Sequence, residues 1–143
     1  MYKKNRINII SWEYINMITL NIFICIILIC ASIQDLKSCM VYDRFFIALY
    51  ACLLFHNVIN IHLFLIAIFF FLLFVFFYKK EMLGGADIKL YMFILLKYGF
   101  HFFTYCLILS NTIGLLLCLC TKKKRIPFIP CITLGILFAF LLL

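Results

Sequence analysis

From Ile61 to Tyr78 the chain carries no Asp, Glu, Lys or Arg, and that run by itself restricts the fold. A helix that crosses a bilayer needs about 20 apolar residues, with about 17 as a lower limit. Comparable runs extend from Met17 to Ile33, Phe45 to Ile59, Phe102 to Cys120 and Ile126 to Leu143. A weaker one, Ile88 to about Gly99, holds Lys97 near its far end. At about 12 residues it rises only about 18 Å, so it also reads as a re-entrant half-helix. Apolar residues make up 69% of the 143 positions and charged ones 13%, against about 45–50% and about 25% in a soluble domain. A soluble fold of this size leaves too much surface in water to hide that much hydrocarbon. The expectation is an all-α, polytopic membrane helix bundle of about six transmembrane helices. It forms a single domain over residues 1–143, with residues 1–16, including Trp12 and Tyr14, as an interfacial segment.

The net charge is +8. A basic balance can signal nucleic-acid binding, but these residues cluster between apolar runs, where the positive-inside rule expects them. No nucleic-acid partner is expected; membrane lipids are. With six spans, Lys37, Arg44, Lys79, Lys80, Lys89 and the four residues Lys122 to Arg125 share one side, against Lys3, Lys4, Arg6 and Lys97 on the other. Nine against four predicts a cytoplasmic position for the first group; the N-terminal cluster opposes it. The Lys122–Arg125 run reads as a clamp on anionic lipid rather than a substrate dock. The eight cysteines include no C-x-x-C pair, so neither a zinc site nor a redox pair is indicated. No metal and no cofactor are expected.

Only five acids occur: Glu13, Asp35, Asp43, Glu81 and Asp87. Acids near membrane helices are costly and tend to be functional. Asp35 follows the first span and Asp87 opens the fourth segment. Two spans lie between them, so parity puts both on the same face of the membrane. They could meet if the first and fourth helices pack together. A converging pair shares one proton: the ionised member takes a proton from water and the protonated one polarises a carbonyl. The plainer reading, favoured by spacing alone, is that both merely end helices, Asp87 as a cap or dipole partner. Gly84, Gly85 and Ala86 allow a tight turn before Asp87 and leave it unshielded.

These residues resemble a known family. Leu83 to Leu90, LGGADIKL, is similar to the GxGD-type motif of the aspartic prepilin peptidases and the related archaeal preflagellin peptidases. Ala31 to Phe45, ASIQDLKSCMVYDRF, resembles their first catalytic segment. Arg125 to Leu137, RIPFIPCITLGIL, resembles their closing one. Two departures stand out. Ala86 replaces a frequent Gly, and Val41-Tyr42-Asp43 replaces an Ile-Pro-Asn-like turn. The resemblance implies that Asp35 and Asp87 are the catalytic pair, that Gly84 and Gly85 shape the loop around Asp87, and that Lys89 sits at the mouth. Pro127, Phe128, Pro130 and Gly135 would pack the last helix.

It further implies a membrane aspartic endopeptidase that cuts the short basic leader of a prepilin-like substrate after Gly, at the cytoplasmic face. N-methyltransferase activity is not expected, because the paired cysteines of the bifunctional members are missing. Glu81 and Asp43 are the acids suited to contact a basic leader. The rival expectations are a small permease or secretion-assembly subunit, an inactive homologue, and an intramembrane protease of the presenilin-like type with deeper aspartates.

Overall fold

A computed structural model describes residues 2–54, 61–80, 84–121 and 127–142, with side chains from Ile18 onward except Leu54. Glu81, Lys122 to Arg125 and His56 lie outside the described residues, as do the side chains of Lys3, Lys4, Arg6 and Glu13. Five helices follow in order: α1 (Tyr2–Ser38), α2 (Asp43–Leu54), α3 (Ile61–Lys79), α4 (Gly85–Thr121) and α5 (Ile129–Leu142). No strand occurs among the described residues. The all-helical membrane bundle expected from the apolar runs is therefore present, but as five helices. Three have the length and apolar composition to cross a membrane: the Ile18–Ser38 part of α1, α3 and α4. α2, with 12 residues, and α5, with 14, are shorter than a full crossing. The expected second span reached Ile59, and its last part falls outside the described residues.

α4 joins two runs that the sequence separates, and its geometry explains how. Gly99 has φ 86° and ψ 176°, a region that is essentially restricted to glycine. The Tyr91 hydroxyl lies 2.6 Å from Ser110 Oγ, nineteen residues on. In a straight helix that separation is roughly 28 Å. The chain therefore doubles back at Gly99, and residues 85–98 and 100–121 run as two antiparallel limbs. The boundary expected near Gly99 coincides with this reversal. Leu63, at the start of α3, packs beside it.

α1 ends in a left-handed residue, Cys39 (φ 51°), whose N–H bonds back to the Asp35 carbonyl at 2.8 Å. This closes the last turn as an αL cap does. The chain then turns over residues 39–42 into α2.

Packing of the first helix against the fourth was a condition under which the two acids could meet. Among the described residues the backbones of α1 and α4 do not pack together; α1 lies against α2 and α5, and α4 against α2, α3 and α5. α5 therefore bridges the two helices that carry the acids. A side-chain bond from Tyr98 to Asn21 Oδ1 (3.3 Å) ties α1 to α4 farther along. α5 is held tightly to the second limb of α4. A Cβ at Gly135 would stand 3.1 Å from both the Cys106 carbonyl oxygen and the Ser110 nitrogen. Small residues permit such close helix approach in membranes. On the other side, α3 stacks Phe70 and Phe74 against Tyr91 and Phe103 of α4. Its remaining faces stay largely exposed, as lipid contact requires.

Candidate active site

Asp35 and Asp87 are both buried, at 7% and 9% exposure. Each is fixed by the amino end of a helix. Asp87 is the third residue of α4, and its Oδ2 accepts the N–H of Gly84 at 3.2 Å. This is the backward half of a capping box, in which an acid at N3 satisfies the N-cap amide. A Cβ at Gly84 would come within 2.8 Å of Asp87 Oδ2, so a side chain there would make the carboxylate shift from this position. Gly85 has no such constraint: its Cβ would meet Tyr78 at an ordinary 3.6 Å.

Asp35 is held by α5. The N-cap of α5 is Phe128, whose carbonyl accepts the first helical bond, from the Ile132 N–H at 3.1 Å. The phenyl side chain has no acceptor to offer the free amides of the first turn; its ring lies against Gly114 of α4 instead. Asp35 supplies the missing acceptor from α1, its Oδ2 taking the N–H of Ile129 at 3.1 Å. Both carboxylates thus sit where helix dipoles and free amides favour negative charge. Burial acts most strongly on Asp87, then its bond to the Gly84 amide, and only then the charge of Asp35; Cys131 is likewise governed first by burial, with smaller contributions from both acids. On each acid the bond just described engages Oδ2.

One turn further into the bundle, Ser32 Oγ and Thr133 Oγ1 lie 2.7 Å apart, both buried. Ser32 also reaches the Leu28 carbonyl (2.8 Å) and Thr133 the Ile129 carbonyl (3.0 Å). Two hydroxyl protons therefore serve three bonds. Such bonds between membrane helices average about 0.6 kcal/mol, enough to favour one register of α1 against α5.

Of the other expected site residues, Glu81 lies outside the described residues, and Lys89 and Asp43 engage each other. Lys89 and Asp43 form an ion pair with side chains 48% and 74% exposed; a pair so exposed contributes at most about 1 kcal/mol. Lys89 also lies over the Phe46 ring, 5.5 Å from its centroid. His101 follows the Gly99 reversal by two residues, and His62 adjoins Leu63, which packs on it. Both histidines therefore stand at the end of the bundle away from Asp87. Among the described residues no three His, Cys, Asp or Glu side chains are grouped to hold a metal.

Sequence reasoning missed the Ile129 amide, Ser32, Thr133 and Cys131. A backbone donor has no signature in sequence. Ser32 and Thr133 had one, as hydroxyls inside apolar runs, but nothing in the sequence paired them.

No curated protein and no solved structure matches this chain. A family model, the type IV leader peptidase family, matches residues 22–119. That interval contains both buried aspartates and covers more than half of the protein. The chain belongs to the type IV leader peptidase family.

Proposed function

We propose that this protein is an aspartic endopeptidase of the cytoplasmic membrane that removes the short basic leader of prepilin-like proteins, cutting after Gly at the cytoplasmic face. The observation that supports the reading is that two carboxylates, Asp35 and Asp87, are buried in one bundle, each tied through Oδ2 to the amide at a helix amino end; the reading takes the two to meet. The ionised Asp takes a proton from water as the oxygen attacks the scissile carbonyl. The protonated partner donates to the carbonyl oxygen. The tetrahedral diol then collapses: the C–N bond breaks, the amine leaves with the proton held by the dyad, and one diol hydroxyl gives its proton to the dyad as the C=O re-forms, so the pair ends with the single proton it began with. The pair titrates as a unit, so activity should fall on both sides of its optimum pH.

The reading takes α2 and α3 as two crossings, which puts Asp35 and Asp87 on one face, and the two limbs of α4 as separate crossings, which makes six. It makes no use of a cofactor or of methyltransferase chemistry. Gly84 and Gly85 shape the loop at Asp87. Lys89 and Asp43 stand at the mouth, and Asp43, with Glu81, meets the basic leader.

Asp35→Asn and Asp87→Asn should each abolish cleavage of a prepilin-like substrate while the protein still inserts into the membrane. Processing at the wild-type rate by either variant would exclude the dyad.

A further inference from the structure

We infer that Ser32 and Thr133 are positioning residues for the peptidase reaction: their hydroxyl pair sets the register of α1 against α5 that brings the Ile129 amide to Asp35. The inference rests on the proposed role of Asp35. Its geometry is a short ladder between two antiparallel helices. Asp35 meets the Ile129 N–H at 3.1 Å, and one turn deeper Ser32 meets Thr133 at 2.7 Å. Thr133 also bonds the carbonyl of Ile129, the same residue whose amide clamps the acid.

The pair is not needed to satisfy buried polar atoms. If either hydroxyl is removed, the other keeps its own backbone carbonyl, Leu28 for Ser32 and Ile129 for Thr133. Its contribution is therefore to registry. α5 has a particular need of such a lock, because its N-cap side chain, Phe128, cannot accept a bond and the Ile129 amide is satisfied from another helix. Since α1 and α4 do not pack backbone to backbone, the placement of Asp35 relative to Asp87 depends on α5 and α2, which lie against both, and α5 is the one that bonds Asp35 itself. A slip of about 1 Å in a catalytic group can cost about 100-fold in rate.

The test measures leader cleavage by the full-length protein in proteoliposomes. Ser32→Ala, Thr133→Val and the double variant are compared with wild type, with Thr133→Ser as the conservative control and Asp35→Asn as the reference for the reaction. The expected result is a fall in kcat of about threefold in each single variant, the bias that a bond of this kind supplies, with KM unchanged. The double variant should be no worse than either single one, and Thr133→Ser should stay near wild type. Wild-type kcat in both single variants, with Asp35→Asn inactive, overturns the positioning role and leaves the peptidase reading standing. A loss in Thr133→Ser as deep as in Thr133→Val also overturns it, because the methyl and not the hydroxyl would then matter. An active Asp35→Asn overturns the peptidase reading itself.

Discussion

At the scale of single residues, the two glycines before Asp87 are not equivalent. Gly84 lets the Asp87 carboxylate keep its position, since a Cβ there would stand 2.8 Å from the carboxylate oxygen. Gly85 has space for a methyl group. Gly84→Ala should therefore lower leader cleavage at least tenfold, whereas Gly85→Ala should remain within a few-fold of wild type; steady-state cleavage by the two variants measures the difference. Both acids stand out in the sequence, because only five occur and these two bound apolar runs. Their surroundings were not. The plain alternative, that Asp87 caps its helix, is also correct as local structure: it bonds the Gly84 amide. Capping and convergence are compatible, because the cap occupies one oxygen and leaves the other.

At the scale of elements, the boundary at Gly99 was legible from the fading of one apolar run and the start of another. Hidden from sequence was how abruptly the two helical limbs meet, with the non-helical Gly99 alone between them. The reversal depends on a backbone conformation that other residues reach only at a cost of about 1–3 kcal/mol. Gly99→Ala should lower the thermal unfolding midpoint in detergent, with a loss of about that size. An unchanged midpoint would mean that the turn is formed some other way. The same scale holds the main surprise, the place of α5. Counting spans gives parity but no neighbours, so direct packing of the first and fourth helices was only a condition under which the acids could meet. The Gly135 contact with Cys106 and Ser110, which seats α5 against α4, depends on backbone approach that no residue pattern specifies.

At the scale of the whole molecule, the arrangement makes a statement about sidedness. Asp35 and Asp87 lie toward one end, while His101 and the Gly99 reversal lie at the other. In a cysteine-free background, a cysteine returned at position 39, beside the end of α1, should react with a membrane-impermeant thiol reagent only from the cytoplasmic side. His101→Cys should react only from the opposite side. Labelling of both from one side would contradict the six-crossing arrangement. The most direct test of the central claim compares leader cleavage by wild type, Asp35→Asn, Asp87→Asn and the double variant in the same membranes. If the two acids share one proton and act as a unit, each single variant is as inactive as the double one. Residual activity in a single variant that the double variant lacks would show two separable roles and contradict the shared site.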